Sequence, residues 1–384
     1  MRLKTVIGLM LILALIMPVI PLKAQSLEES LQKMLGDNAK GYVQPLVTGF
    51  GAGMNSGLYR KASTKTGTLP LPIGLDVGLV VNMVAVPEAA MMFEYSMMEN
   101  TITFPLSTMP GLSMIPADLQ PEDITLTFND IYDNGGVTET PTIASDQEEG
   151  VLLSTRTPNE VYMALRTRLV EDQGMSGTDV DTYLQPSIMN FLNGNLSTIA
   201  PDFQFPGGLG LEFVPTAGLQ ANVRIPFEIE VQARYVPEFE ISEELGMFSM
   251  YGAGLRKNLP VPVLDVSVGA FYQVLKVGDI LEATNINYHA ELGKRLPIPF
   301  IKITPYIGAG YDQTTINLTY TIPAGTVPGI DEDQELSFDL EGENTFRMNA
   351  GLTLQVLPLT FINAEVALVG DYQVATVGLG IMFK

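Results

Sequence analysis

The chain has 384 residues, of which 46% are hydrophobic and 17% charged, with 36 Gly, 26 Pro, no Cys and no Trp. So few charges, against about 25% in average usage, exclude a disordered chain, and zero cysteines exclude a disulfide scaffold. A formal net charge of −22 argues against nucleic acid or an anionic lipid surface as partner.

Residues 1–24 have the layout of a secretory signal peptide. Arg2 and Lys4 precede an apolar run from Val6 to Ile20, and Ala24 stands at the expected cut. Pro18 and Pro21 interrupt that run and disfavour a retained anchor, and no Cys is present for lipid modification. Removing Arg2, Lys4 and Lys23 leaves 18 basic against 43 acidic side chains, a net −25. No later stretch approaches 18 consecutive apolar residues, so no transmembrane helix is expected.

Ser26–Leu35 reads as a short helix. Ser26 and Glu29 form a capping box, Leu27, Leu31, Met34 and Leu35 share a face, and Gly36 ends it. The stretch that follows, "GYVQPLVTGFGAGMNSG", spaces Gly49, Gly51, Gly53 and Gly57 wrongly for a dinucleotide fingerprint. Close backbone packing, as in a plug or the start of a strand, is the expected use of these glycines.

From Leu75 onward the dominant period is two. Eleven segments alternate: they start near Leu75, Met91, Leu219, Phe227, Tyr251, Leu264, Asn285, Ile301, Phe346, Ile362 and Val377. In "FEIEVQARYV" (227–236), Phe227, Ile229, Val231, Ala233 and Tyr235 oppose Glu228, Glu230, Gln232 and Arg234. Short Pro-bearing turns at Pro87, Pro226, Pro260, Pro297 and Pro358 alternate with longer polar joints at 237–246, 276–283, 322–335 and 369–373. Short turns on one rim and long loops on the other are the arrangement of membrane barrels. Parity then asks for one more crossing before Leu75, for which 53–64 is the candidate. The irregular segment 96–209 adds an even number, for which 123–130 and 161–169 are candidates. The expected fold is all-β: a transmembrane antiparallel barrel of about twelve to fourteen strands, with an N-terminal helix and a luminal plug. The expected organisation is residues 1–24 as signal, 25–52 as helix and Gly-rich plug, and 53–384 as barrel with its insertion at 96–209.

Polarity supports a barrel over a soluble sandwich. The polar face is mainly Gly, Ser, Thr, Asn and Gln with single charges of both signs, which suits a crowded lumen. The apolar face is Leu, Val, Ile, Ala and Tyr, as in a lipid-facing band. An echo links "YVQPLVTGFGAG" (42–53) with "YLQPSIMNFLNG" (183–194). The plug candidates are therefore Tyr42, Gln44, Pro45, Phe50, Gly51 and Gly53, with Tyr183, Gln185, Pro186 and Phe191. At the C-terminus, Thr376, Gly378, Ile381 and Phe383 resemble the signal by which barrel-assembly machinery recognises its substrates, although Lys384 follows the aromatic residue.

The stretches "FPGGLGLEFVPTAGLQANVRIPFEIEVQARYVP" and "YVQPLVTGFGAGMNSGLYRKA" resemble an uncharacterised family of outer-membrane barrels of diderm bacteria. That resemblance implies location and architecture but no residue roles. The Gly-rich segment and long insertion are more remotely similar to long-chain fatty-acid channel proteins, whose Asn-Pro-Ala plug motif is missing.

The inward face collects Glu228, Glu230, Arg234, Arg256, Asp265, Glu291, Lys302, Asp312, Arg347 and Glu365, together with His289, the single histidine. Two readings stand: a mutually paired set that rigidifies a closed lumen, or a charged constriction that selects solutes. His289 has no flanking Ser for lipid hydrolysis and reads as a hydrogen-bonded luminal side chain. The acidic loop "DEDQE" (331–335) lacks the EF-hand glycine and reads as a solvated loop. No catalytic, cofactor or metal residues are assigned. The expected partners are outer-membrane lipid, with the assembly machinery and periplasmic chaperones during biogenesis. The expected function is passage or binding of a small solute. A sealed structural barrel is the alternative, and a lipid hydrolase a more distant one.

Overall fold

The computed structural model describes residues 30–60, 74–110, 115–242, 246–296, 298, 301–342, 346–355, 357 and 359–383. The signal segment, the Ser26–Glu29 box and residues 61–64 of the candidate first strand lie outside these.

The described chain is a closed antiparallel barrel with a cap. Helix α1 (Gly36–Met54) comes first, then strand β1 (Gly74–Ala85). The long insertion carries the short strands β2 (Met92–Glu94), β3 (Thr101–Phe104), β4 (Ile124–Thr127), β5 (Tyr132–Asp133), β6 (Glu139–Pro141), β7 (Glu149–Thr155) and β8 (Phe203–Pro206). It also holds helices α2 (Pro158–Glu171) and α3 (Gln185–Ile199). The barrel resumes with β9 (Phe213–Ile225), β10 (Ile229–Ser242), β11 (Gly246–Leu259), β12 (Asp265–Val277), β13 (Leu281–Gly293) and β14 (Lys302–Ile322). It ends with β15 (Gln334–Glu341), β16 (Phe346–Gln355), β17 (Thr360–Val369) and β18 (Tyr372–Phe383). The strands pair in sequence order from β9 to β14; β14 meets β15 and β16 end to end, and β1 closes the ring between β18 and β9.

The barrel thus has ten strands, not twelve to fourteen. Four of the expected crossings are something else. Residues 53–60 are the end of α1 and a buried coil, 91–95 hold the cap strand β2, and 161–169 lie in α2. Strand β4 covers part of 123–130 but pairs with β3 in the cap. The direction of β1 is also corrected. Gly74 pairs with Arg224 beside the Pro226 turn and Ala85 with Phe213, so β1 starts at the short-turn rim. Pro87 opens the insertion, which occupies all of 86–212.

Helix α1 also departs from expectation, because Gly36 begins a helix where one was expected to end. With Gly36, Gly41, Gly49, Gly51, Gly53 and Pro45, this stretch has poor intrinsic helix propensity. Tertiary packing supplies what propensity lacks. Tyr42, Val43, Leu46, Val47, Ala52 and Met54 are buried in one core with the cap and the upper barrel interior. The glycines let the helix lie against the wall: a Cβ on Gly49 would meet Val214, one on Gly51 would meet Thr314, and one on Gly53 would meet Thr216.

Polarity inverts along the strands. In the lower half of β14, Ile307, Ala309 and Tyr311 point outward and are exposed. In the upper half Ile316, Leu318, Tyr320 and Ile322 are buried inside, leaving Asn317 and Thr319 on the outer face. Strands β12 and β13 switch likewise, with Leu275, Val277, Leu281 and Ala283 inward. An exposed aromatic row stands where the switch occurs: Tyr235 pairs with Tyr251, and Tyr288 with Tyr311 and then Phe346. Aromatic girdles mark membrane–water interfaces. Below the row, the ten-residue strand β16 spans about 25 Å at about 3.3 Å per residue and a tilt of about 40°. That matches the height of a hydrocarbon band.

Candidate functional site

The lower lumen is polar and occupied by the chain's own N-terminal segment. Helix α1 enters from the cap side, and its C-terminal carbonyls point into the barrel, where no further helical turn satisfies them. Two arginines from the wall meet this negative helix end. Arg347 donates to Ala52 O at 2.7 Å and to Ser56 Oγ at 2.6 Å. Arg234 donates to Met54 O at 2.6 Å and to Ser56 O at 2.9 Å.

The coil beyond the helix is held in the same way. Asn82 donates to Gly53 O at 2.9 Å and Gln273 to Met54 O at 2.8 Å; Gln220 and Gln232 reach Leu58 O at 2.7 and 3.1 Å. Glu365 accepts from Gly57 N at 3.2 Å, while Thr353 and Asn363 donate to Arg60 O. Side chains from six strands, β1, β9, β10, β12, β16 and β17, therefore bind the main chain of residues 52–60. Gly57 takes a φ of 65° and packs against Val80, where a Cβ has no room.

Around this segment, the buried charges balance. Among the described residues, Arg60, Arg224, Arg234, Arg256 and Arg347 face Asp76, Glu230, Glu291, Asp312 and Glu365. Strand register builds the pairing, since Arg224 lies opposite Glu230 and Glu230 opposite Arg256. Arg224 reaches Glu230 at 2.8 Å and also Asp76, which binds Arg60 at 3.2 Å. Arg256 bridges Glu230 at 2.8 Å and Glu291 at 3.2 Å. On the other side, Arg347 binds Asp312 at 2.7 Å, and Glu365 accepts from Tyr306 at 2.9 Å and Asn349 at 3.0 Å. Burial of so many charges is tolerable only where each meets an opposite charge or several hydrogen bonds.

His289 is a platform. Its ring stacks on Tyr59 with centroids 5.0 Å apart and planes 18° apart, and Arg256 lies 5.5 Å from the Tyr59 ring centre. A space of about 10 Å³, room for one water at most, lies in the lower lumen between Arg60, Asp76, Asn222, Arg224 and Arg256. A larger open groove of about 610 Å³ lies on the cap side, between Lys33, Ile102, Phe203 and the 325–331 loop. Flanking that loop, Asp333 accepts from Ala324 N at 3.0 Å.

Of the inward set read from alternation, Glu230, Arg234, Arg256, His289, Glu291, Asp312, Arg347 and Glu365 are brought together in the lumen. Three are not. Glu228 lies in the 226–228 turn, half-buried against Asn258, and Asp265 and Lys302 sit half-buried at the strand ends on the same rim. At Glu228 the turn resets the side-chain direction, whereas Asp265 and Lys302 keep the register of the buried Ser267 and Thr304 but lie at the end of the barrel. Tyr42, Gln44, Pro45, Phe50, Gly51 and Gly53 all lie on α1. Their echo does not enter the barrel: Gln185, Pro186 and Phe191 sit on α3 in the cap, and Tyr183 is exposed just before it. Thr376 and Gly378 point inward on β18, while Phe383 is exposed opposite Leu75 at the seam. Asp76, Gln220, Asn222, Arg224 and Gln232 were readable as inward from the same alternation. Arg60 had no such signal, because it lies on no strand.

Three solved barrels are similar over part of the chain. The N-terminal β-barrel domain of Pseudomonas aeruginosa OprF matches 40% of this chain and 96% of its own, at 16% identity and a TM-score of 0.21. Neisserial surface protein A matches 41% and 95%, at 12% identity and a TM-score of 0.23. The KdgM porin, solved in complex with disordered oligogalacturonate, matches 44% and 94%, at 11% identity and a TM-score of 0.21. Similarities this low bear on neither ligand nor role. No curated protein sequence matches the chain significantly. The profile of the Family of unknown function (DUF6588) matches residues 3–383, and the chain belongs to that family.

Proposed function

We propose that this protein is an outer-membrane barrel sealed by its own N-terminal segment, which anchors and displays the 86–212 cap. The carrying observation is the capture of residues 52–60 by donors and acceptors from six strands. Magnitude favours a permanent seal over a gate. Withdrawing α1 exposes Tyr42, Val43, Leu46, Val47 and Met54. At roughly 1.5–3 kcal/mol each, that costs on the order of 10 kcal/mol, comparable with the whole stability of a typical domain. The C-terminal strand, with Thr376, Gly378, Ile381 and Phe383, supplies the assembly signal in this reading.

The test is conductance of the purified full chain in planar bilayers. The sealed reading expects no stable conductance; steady channels from the unmodified chain would overturn it. A second reading, passage of a small solute, is favoured by the nine buried charges of the wall, four arginines and five carboxylates, which would line a polar pore if the segment left with Arg60. Because the chain has no native Cys, a Gly53→Cys/Thr216→Cys pair gives a unique lock at a close contact. Flux through the reduced pair that vanishes on oxidation would establish the second reading.

A further inference from the structure

The short-turn rim carries apolar side chains where turns are normally polar. Among the described residues, three non-glycine residues have a positive φ, namely Phe227 at 68°, Glu228 at 60° and Val263 at 74°, and all three lie in these turns. Elsewhere in the described chain such positions are glycine. A left-handed backbone disfavours bulky residues and a β-branched valine above all, so apolar side chains stand here against local preference. Phe227 and Val263 are 82% and 77% exposed, more than any other large hydrophobic residue described, and Leu357, Leu359 and Ile298 are exposed in the neighbouring turns. The presentation is fixed: Lys257 donates to Phe227 O, and Asn258 to the Glu228 carboxylate at 3.0 Å.

Charge is segregated in the same direction. The rim holds Lys257, Lys294, Arg295 and Lys302 against Glu228 and Asp265. The long-loop rim is dominated by exposed acids such as Glu238, Asp279, Asp331, Glu332 and Asp371. The net charge of −22 conceals this polarity. The apolar turns are also continuous with the belt, through the exposed Leu75–Phe383 pair.

We propose that the short-turn rim docks into a leaflet of anionic phospholipid. Phe227, Val263, Leu357 and Leu359 enter the headgroup–acyl boundary, and Lys257, Lys294, Arg295 and Lys302 meet the phosphates. The proposal rests on the membrane-spanning reading, and one experiment separates the two. The chain has no Trp, so Phe227→Trp, Val263→Trp and Val231→Trp each create a single fluorescent reporter. Each full-length variant is reconstituted in phosphatidylcholine vesicles, with and without an equal part of phosphatidylglycerol.

With phosphatidylglycerol present, reporters at 227 and 263 are expected to emit at short wavelength and to be quenched by lipids brominated near the carbonyl end. They should resist aqueous acrylamide. Adding Lys294→Gln, Arg295→Gln and Lys302→Gln should raise acrylamide quenching severalfold in those vesicles but not in pure phosphatidylcholine. Reporters at 227 and 263 open to acrylamide, with the one at 231 shielded, overturn the docking and leave the spanning barrel standing. All three open to acrylamide overturns both. Shielding indifferent to phosphatidylglycerol and to the three cations overturns the anionic-lipid assignment. Shielding in isolated native membranes but not in vesicles assigns the rim to a protein partner and overturns it likewise.

Discussion

Arg234 Nη1 lies 2.6 Å from the carbonyl oxygen of Met54, 180 residues earlier in the chain. Its other terminal nitrogen reaches Ser56 O and Gln220 Oε1, both at 2.9 Å. One side chain thus ties the end of α1, the coil beyond it and the wall together. Arg234→Met keeps the volume and removes the donors, so Ser56 O and Gln220 Oε1 lose this partner while Met54 O keeps only Gln273. The expected cost is about 3 kcal/mol or more. It should appear as a lower temperature for loss of the compact, fast-migrating form on a semi-native gel, with Arg234→Lys intermediate. Equal melting of wild type and Arg234→Met would show that the tie contributes nothing.

Gly51 packs its backbone against Thr314, whose hydroxyl donates to Asn285 at 2.5 Å. Gly51→Ala should destabilise by about 1–3 kcal/mol through overpacking, despite the better helix propensity of alanine. Thr314→Ala clears part of the space, so the double variant should be less damaged than the two single effects added. Additive losses in a denaturant titration would place the contact elsewhere.

Val231 and Gln232 are neighbours on β10 that face opposite media. Val231→Arg puts a charge on the outer belt and should cost about 2–4 kcal/mol of insertion free energy. Gln232 is fully buried and donates to Leu58 O at 3.1 Å. Gln232→Glu sets a carboxylate against that carbonyl, and its effect should rival that of Val231→Arg in refolding yield into vesicles.

The cap has its own acid sensitivity. The Thr157 hydroxyl holds the Glu160 carboxyl below its usual range, and the Arg166 guanidinium, with the Tyr162 hydroxyl, does the same for Asp181. Both folded-state values are depressed, so the stabilisation is complete above the ordinary carboxylate pKa of about 4 and is lost as pH falls through the folded values. Pepsin cleavage within residues 157–184 should therefore rise only below about pH 4. Glu160→Gln with Asp181→Asn should flatten that dependence, and an unchanged profile in the double variant would assign it to other groups.

The strands of the barrel wall are legible in the sequence, and the Gly-rich stretch before them reads as a plug, but neither its helical form nor the residues that the wall holds are legible. The ten barrel strands are among the segments picked out by period-two alternation, because each stands between lipid-like and polar surroundings and every second side chain records it. Met91–Tyr95 shows the same alternation in the cap, so periodicity alone overcounts. The helical form of residues 36–54 was illegible for a different reason. Residues 36–54 are rich in glycine and carry Pro45, and no local rule makes them helical; the walls around them do. Arg60 has no alternating neighbours, and only closure of the ring sets it beside Asp76.

By itself, the sequence determined which faces of the strands meet which medium, since alternating polarity is a local property that survives any arrangement of the strands. The tertiary structure alone decided that the ring has ten members, that the polarity inverts above the aromatic row, and that residues 52–60 are the ones the wall holds. Those depend on which distant carbonyls find donors and which charges find partners. Residues 180 or more positions apart, such as Arg234 and Met54 or Arg347 and Ala52, meet only once the barrel has closed.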